Sequence, residues 1–239
     1  MLAVAGAGVV AGAVNAIVGS GSLVTFPTLL AVGYAPVVAN VSNTVGLVFG
    51  GVSGAWGYRR ELRGQRRRVL TLACGSAAGA VVGGILLLEL PDAVFDAIVP
   101  ALILLACGLM ALRRTPSQHA DTEHTAAGTA ASFSTGIYGG YFGAAQGIIL
   151  MSLLALFLPD GMQRLNALKN VLALVANAVA AVLFVAVADV AWEAAATIAV
   201  GSTVGAQLGA TVGRRISDEW LRRLVVIGGT IVAVILIAT

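Results

Sequence analysis

The sequence contains GSAAGAVVG at residues 75–83 and a second copy of the pattern, GSTVGAQLG, at residues 201–209. The two copies are 126 positions apart. Three further pairs lie at nearly the same separation: Gly19 and Gly143, Asn43 and Asn170, and Asp92 and Asp218. Small residues at every fourth position let helix backbones approach each other closely in lipid. The sequence therefore predicts two copies of one helical unit.

The loops around these two segments carry opposite charge. Arginines crowd the loop at 59–68, whereas its counterpart carries Asp189 and Glu193. The loop after the first segment carries Glu89 and Asp92, whereas its counterpart is basic, with Arg214, Arg215, Arg222 and Arg223. Because basic loops stay on the cytoplasmic side, the two halves are predicted to cross the membrane in opposite directions. Inverted repeats of this kind are typical of secondary transporters.

The composition places the chain in a membrane. Hydrophobic residues make up 59% and charged residues 10% of the sequence, the mean hydropathy is +0.95, and long apolar runs recur along its whole length. Since the arginines of the +3 net charge cluster in loops, they indicate topology, and no nucleic-acid partner is expected. The opening residues, 1–18, lack a basic start and are predicted to be an uncleaved membrane segment. Cys74 and Cys107 are interpreted as small packing residues, and neither a metal nor a cofactor is expected.

We predict an all-α polytopic membrane protein made of two inverted-topology repeats. Residues 1–112 form the first membrane repeat, 113–125 a cytoplasmic linker, and 126–239 the second repeat, with both termini outside. Each repeat has a broken or re-entrant helical hairpin followed by three transmembrane helices. The predicted segments are Leu2–Val18, Leu23–Val32, Pro36–Tyr58, Val69–Leu88, Ala93–Leu112, Ala126–Phe142, Ile148–Leu158, Met162–Val187, Trp192–Val212 and Glu219–Ala238.

A glycine-rich break interrupts the hairpin in each repeat, at Gly19–Ser22 and at Gly143–Gly147. Two arms of about 15 residues reach only ~22 Å each, short of a hydrocarbon core of ~30 Å. A re-entrant hairpin fits this length better, although two tilted crossings would give the same topology. Non-helical backbone at membrane depth must be buried in protein or line a wet cavity. The breaks are therefore predicted to form a binding site, with a glycine-mediated packing kink as the alternative.

Polar residues at the start of each long helix complete the predicted site. Buried amides are costly in a membrane unless they meet a partner or a cavity, so they are expected either to bind a substrate or to join helices by hydrogen bonds. Lys169 is the only lysine in the chain; it would offer a positive charge to an anion, unless it extends to the membrane interface. The candidate substrate-binding residues are Ser20, Gly21, Ser22, Asn40, Asn43, Gln146, Gly147, Asn166, Lys169 and Asn170.

The positions of the acidic residues favour an anionic substrate. All eleven carboxylates fall in predicted loops or near segment ends, whereas a cation carrier usually needs a carboxylate inside the membrane. Amides, hydroxyls, backbone N–H groups and a lysine can all donate hydrogen bonds to an oxyanion. The expected partners are a small anionic substrate and the lipid bilayer, and a homodimer is left open.

The break and helix-start motifs resemble those of a known family. GSGSLVTFPTLL at 19–30 with ANVSNT at 39–44 is similar to the first signature of the sulfite exporter (TauE/SafE) family, and GIYGGYFGAAQG at 136–147 with LNALKN at 165–170 is similar to the second. The resemblance implies a bacterial or archaeal inner-membrane permease, acting as an exporter, for sulfite, sulfoacetate or related organosulfonates. In the second break, Ala144, Ala145 and Gln146 replace the Ser-Gly-Ser of the first, so the half-sites are chemically unequal.

Three functional classes can be distinguished on these residues. Secondary transport of a small oxyanion by alternating access is the leading hypothesis, and a passive anion channel, or a carrier for another small organic anion, is the alternative. Catalysis is not expected, because His119 and His124 both lie in the linker and no His-Cys-Asp cluster is visible. The sequence also lacks a Walker A motif, so transport would draw on an ion gradient or on the gradient of the substrate itself.

Overall fold

The computed structural model describes residues 1–112 and 124–212, and every regular element within these ranges is an α-helix. The helices are α1 (Leu2–Ile17), α2 (Ser22–Val32), α3 (Pro36–Gly57), α4 (Arg66–Glu89), α5 (Asp92–Leu112), α6 (Thr125–Tyr141), α7 (Gln146–Phe157), α8 (Met162–Val187) and α9 (Trp192–Val212). The all-α prediction is confirmed for these residues. The predicted segment Glu219–Ala238, most of the linker, and the arginines at 214, 215, 222 and 223 lie outside them.

The distribution of polar and apolar side chains is the reverse of that in a water-soluble protein. Amides, hydroxyls and one lysine are buried, whereas large apolar side chains such as Val182, Val200 and Leu2 are 71%, 71% and 93% exposed. Within the described residues, α3, α4 and α8 are long and apolar enough to cross a membrane. Apolar surface facing lipid and polar groups facing protein is the arrangement that a bilayer requires.

The predicted breaks are present, and the first arms of the two hairpins end in the same way. The N–H of Gly19 donates to the oxygen of Val14 (3.1 Å), and the N–H of Gly143 donates to the oxygen of Tyr138 (3.0 Å). Both glycines have positive φ, 86° and 74°, a conformation that glycine adopts without steric cost. The shared turn shows that the two breaks begin with the same local structure.

The glycine-rich helices each pack against the half of the chain to which they do not belong. Helix α4 packs on α6 and α8, and α9 packs on α1 and α3. A methyl group placed on Gly79 would lie 2.1 Å from the oxygen of Phe133, and one placed on Gly205 would lie 1.9 Å from that of Val9. Phe133 follows Val9 by the same 124 positions that separate Gly143 from Gly19, so equivalent glycines meet equivalent partners.

The serine of each Gly-Ser motif also reaches the opposite half. Ser76 donates to the oxygen of Leu172 in α8 (2.8 Å), and Ser202 donates to the oxygen of Gly46 in α3 (3.3 Å). Because hydroxyl groups in lipid need a partner, these bonds join each glycine-rich helix to the long helix of the other half. The two halves are therefore interlocked.

Helices α3 and α8 run antiparallel between a basic end and an acidic end. The start of α3 and the end of α8 share an acidic-end cavity of about 270 Å³, which Asp92, Asp96 and Asp189 line. At the other end, Arg164 near the start of α8 donates to the oxygen of Arg63, in the loop after α3 (3.4 Å). That loop is shorter than predicted, because α4 begins at Arg66 instead of Val69 and arginine is a good helix former.

Candidate functional site

The two helix breaks touch each other in the interior. The backbone N–H of Gly147 donates to the oxygen of Gly19 at 3.0 Å. A methyl group placed on Gly147 would lie 2.4 Å from the Cα of Gly19, and one on Gly19 would lie 2.5 Å from the Cα of Gly147. Since no side chain fits between them, glycine is needed at both positions. The backbones of the two hairpins are therefore in direct contact at this point.

Gly21 is needed for packing within its own hairpin. A methyl group there would lie 2.5 Å from the oxygen of Ala11 and 2.9 Å from the Cβ of Asn15, both in α1. The neighbouring Ser20 is buried and has interactions of its own. In this conformation the predicted break residues Ser20 and Gly21 therefore lie against protein.

One cluster of polar side chains, the α2–α3 cluster, consists of Ser22, Thr25 and Asn43. The amide nitrogen of Asn43 donates to the hydroxyl of Ser22 (3.1 Å), and the hydroxyl of Thr25 donates to the amide oxygen of Asn43. The structure thus brings the predicted residues Ser22 and Asn43 together and satisfies the amide at both ends. Thr25 was missed by the sequence interpretation, although its spacing of three from Ser22 places it on the same face of a helix.

A second group, the α8 donors, consists of Asn166, Lys169 and Asn170, and it lies against the carboxyl end of α1. The Nζ of Lys169 is 3.1 Å from the oxygen of Asn15 and 3.5 Å from that of Ala16. The amide nitrogens of Asn166 and Asn170 lie 3.3 Å and 3.1 Å from the oxygen of Ala16. The last carbonyls of a helix lack partners within it and carry partial negative charge, which explains why donors gather there.

Lys169 is buried beside the contact between the two breaks. The side chain is 1% exposed, so its ammonium is enclosed by protein in this conformation. Its stem passes the contact between the breaks, because a methyl group on Gly19 would lie 3.2 Å from its Cδ. The one lysine of the chain is therefore next to the centre, held by backbone carbonyls of the opposite half.

Polar atoms that lack partners occur in the second break, at the end of α6 and in α3. Within the described part of the chain, the amide oxygen of Asn40, the hydroxyl of Tyr141 and the amide nitrogen of Gln146 are buried without a hydrogen bond. The other end of the Asn40 amide donates to the oxygen of Tyr141 (2.9 Å), so two of the three residues are in contact. Buried polar atoms are almost always paired, and leaving one unpaired costs roughly 1–3 kcal/mol. These atoms are therefore available to a ligand or to water.

Two features of the second break were not foreseen. Ala145 has φ of 60°, a left-handed conformation that costs an L-residue about 1–2 kcal/mol. The hydroxyl of Tyr138 donates to the oxygen of Ala144 (2.6 Å) and supports this turn. Tyr138 precedes the break by little more than one helical turn, a position from which an aromatic hydroxyl can reach it. Since Gly21 of the first break is right-handed (φ −57°), the two breaks differ in backbone as well as in sequence.

The predicted site residues thus form groups on both sides of the central contact. On α3, Asn40 and Asn43 lie within two turns of Pro36, which lines the acidic-end cavity. On α8, Asn166 and Asn170 lie within two turns of Arg164, which lines a cavity at the basic end. Among residues 1–112 and 124–212, no group of three His, Cys, Asp or Glu side chains is placed to hold a metal ion. The arrangement offers mainly hydrogen-bond donors and one cation, which suits an oxyanion.

Comparisons with known proteins identify the family of this chain. Residues 4–236 match the family described as sulfite exporter TauE/SafE. The chain is 30% identical over 145 residues to a "Probable membrane transporter protein ORF9" of Sinorhizobium sp, covering 59% of this chain and 56% of that protein. It is 27% identical over 182 residues to a "Probable membrane transporter protein" of Haemophilus influenzae, covering 74% and 71%. No solved structure matches the chain significantly.

Proposed function

This chain belongs to the sulfite exporter TauE/SafE family of membrane transporters, and we propose that it is a secondary transporter that exports a small sulfur-containing anion, such as sulfite or an organosulfonate, by alternating access. The observation that carries the proposal is the contact between Gly19 and Gly147, with hydrogen-bond donors on both sides of it. The protein would work in the prokaryotic cell membrane, without enzymatic activity.

The anion would bind where the second break meets α3 and α8. The unpaired amide nitrogen of Gln146 and the hydroxyl of Tyr141 can each donate a hydrogen bond to an oxyanion. Lys169 would supply the charge by turning from the carbonyls of Asn15 and Ala16 towards the anion. A hydrogen bond to a charged group contributes roughly 1.5–3 kcal/mol, enough to offset the loss of those contacts.

Alternating access would use the antiparallel relation of α3 and α8. In the proposed topology the two halves are inverted repeats with re-entrant hairpins. Inverted repeats are a common architecture of secondary transporters. Helices α1 and α2 have 16 and 11 residues, hence lengths of about 24 Å and 17 Å, and both are shorter than a hydrocarbon core of ~30 Å. In each open state, the breaks at Gly19 and Gly147 would move apart, and the central site would be accessible from only one of the two cavities.

Counterflow in proteoliposomes tests the proposal directly. Vesicles loaded with unlabelled sulfite should take up radiolabelled sulfite faster than empty vesicles, and the rate should saturate with concentration. A passive anion channel would give uptake that neither saturates nor responds to internal sulfite. Replacement of sulfite by taurine-like sulfonates or by acetate in the same assay would separate a sulfur-anion carrier from a carrier of other organic anions.

A further inference from the structure

A cavity of about 530 Å³ opens at the basic end, away from the central contact. It is enclosed by the loop before α4, the first turns of α4, and the starts of α6 and α8. Its lining residues are Gly64, Gln65, Arg67, Arg68, Thr71, Thr125 and Arg164. Three arginines therefore line one concave space, and guanidinium groups bind pairs of oxygens on carboxylate, sulfonate or phosphate.

Two of the three arginines are held in place by one carboxylate. Asp160 accepts a hydrogen bond from Arg68 and another from Arg164 (2.9 Å), and its side chain is only 13% exposed. Arg68 also donates to the amide oxygen of Gln65 (3.2 Å), which is itself buried. Arginines fixed in this way lose little side-chain freedom when they bind a further group.

The third arginine, Arg67, is exposed, and its guanidinium has no hydrogen bond or ion pair among the described residues. Among the described residues, the lining contains three arginines and no carboxylate, and Asp160 pairs with two of the three arginines. Within the described part of the chain, positive charge at the cavity therefore exceeds the single negative charge of Asp160. An exposed arginine and two oriented ones on a concave wall are the elements of an anion site, whereas a purely structural ion pair would need only Arg68, Arg164 and Asp160.

We propose that this cavity binds an oxyanion group, separately from the central site. Its ligand is a sulfonate, sulfite or sulfate-like ion, or the phosphate of an anionic lipid headgroup, since these share the same oxygen geometry. As an entry site for the transported anion, the proposal rests on the proposed function. Arg164 precedes Lys169 by five residues, about 7.5 Å along α8, so an anion held here is one short step from the donors of the central site.

Binding of inorganic sulfate is the direct test. The full chain in a neutral detergent is titrated with sulfate, against chloride at equal ionic strength, and its melting temperature is followed. Sulfate should stabilise the wild type with a saturable profile, and Arg67→Gln should raise the apparent Kd about tenfold or more, as expected for a lost charge-assisted hydrogen bond. Equal binding by wild type and R67Q would overturn the proposal.

Arg59→Gln is the matched control for R67Q. Arg59 lies at the same end, is exposed, and stacks on Trp56 with 4.8 Å between guanidinium carbon and ring centre, but it does not line the cavity. The same charge is removed without a change in the proposed site. R59Q should therefore bind sulfate as tightly as the wild type. If R59Q and R67Q lose the same affinity for sulfate, the loss is explained by the change in net charge, and the proposal is overturned.

Lipid nanodiscs distinguish the two sources of the anion. Sulfate titrations are repeated in phosphatidylcholine alone and with phosphatidylglycerol added. If the ligand is a free anion, phosphatidylglycerol leaves the sulfate affinity of the wild type unchanged. If it is a headgroup, phosphatidylglycerol competes with sulfate and remains bound to the wild type, but not to R67Q, in native mass spectrometry.

The sulfate-binding test of the cavity and the counterflow test of the proposed function can fail separately. Sulfate binding that depends on Arg67, in a protein that shows no sulfite counterflow, would leave the cavity site standing and remove the proposed function. Counterflow without such binding would do the opposite. Where both hold and the cavity is an entry site, R67Q should raise the apparent KM for flux from the basic end, while R59Q keeps the KM of the wild type.

Discussion

The backbone nitrogen of Gly147 lies 3.0 Å from the carbonyl oxygen of Gly19, and this hydrogen bond joins the second hairpin to the first. It connects residues from different halves of the chain at the point where both hairpins are broken. The breaks thus have two properties that the sequence interpretation treated as alternatives. They pack as closely as two backbones can, and they carry the polar groups expected of a binding site.

Gly147→Ala should destabilise the protein strongly. The new methyl group would lie 2.4 Å from the Cα of Gly19, and overpacking of a well-packed site costs roughly 1–3 kcal/mol. The melting temperature in detergent should fall by several degrees, and transport should fall with it. Gly6→Ala is the control, because a methyl group at Gly6 meets nothing within 4 Å. A normal melting temperature for G147A would show that the hairpins are separated in the protein.

Gly79→Ala and Gly205→Ala should have similar effects on stability. The added methyl groups would lie 2.1 Å and 1.9 Å from the oxygens of Phe133 and Val9, and the two glycines occupy equivalent places in the two halves. Helices that associate through small residues in lipid separate when the small residue is enlarged. Thermal unfolding of both variants, compared with the wild type, measures the effect. A loss in only one of the two would contradict the equivalence of the halves.

Gln146→Met should weaken transport without weakening the fold. The amide nitrogen of Gln146 is buried without a partner, so replacing the side chain by an apolar one of similar size removes a desolvation cost. We expect an unchanged or higher melting temperature together with a higher KM for sulfite. Asn43→Ala is the contrast, since both ends of that amide are paired and its loss should lower stability. A KM for Q146M equal to that of the wild type would exclude Gln146 from the site.

Lys169→Met should weaken anion binding by about tenfold to a hundredfold, the loss expected for one charge-assisted hydrogen bond of 1.5–3 kcal/mol. Lys169→Arg should retain the charge but misplace it, because the two side chains differ in geometry. Comparison of the KM with the melting temperature distinguishes the possible roles. If Lys169 serves only as a donor to Asn15 and Ala16 at the end of α1, K169M will lose stability while its KM for sulfite stays the same.

The proposed topology predicts opposite labelling of two exposed positions. Asp189 and Arg63 are both exposed, one at each end of the antiparallel pair α3 and α8. In a variant with Cys74 and Cys107 replaced, a cysteine at 189 should react with an impermeant reagent from outside the cell, and a cysteine at 63 should not. Labelling of both from one side would overturn the inverted arrangement.

The sequence was sufficient to predict where the helices begin and end, but not which helices pack against each other. Apolar runs and glycine-rich breaks predicted the ends of α1, α2, α7 and α8 to within about two residues. The partners of Gly79 and Gly205 were not predictable, because a spacing of four defines a helix face and not the helix that it meets. The carboxyl end of α1 likewise gave no signal that it would attract Lys169, since backbone carbonyls are the same in every sequence.

The different roles of equivalent residues in the two halves also could not be predicted from the sequence. Ser42 and Lys169 occupy equivalent positions in the two halves, yet Ser42 accepts a hydrogen bond from the N–H of Ala191 (2.9 Å) while Lys169 donates to the oxygen of Asn15 in α1. The difference follows from side-chain chemistry: a hydroxyl can satisfy the start of a helix, and an ammonium group can satisfy only the end of one.

The interlocking of the halves sets an order for biosynthesis. The glycine face of α4 leaves the ribosome before α6, the helix on which it packs, has been made, and α1 waits until α9 has followed. During translation the first half must therefore stay in the bilayer with its tightest contacts unformed, and a chain truncated after α5 lacks both α6 and α8, on which α4 packs, and α9, the main partner of α1. Two separately expressed halves, by contrast, carry complementary faces and should assemble with each other in the same membrane.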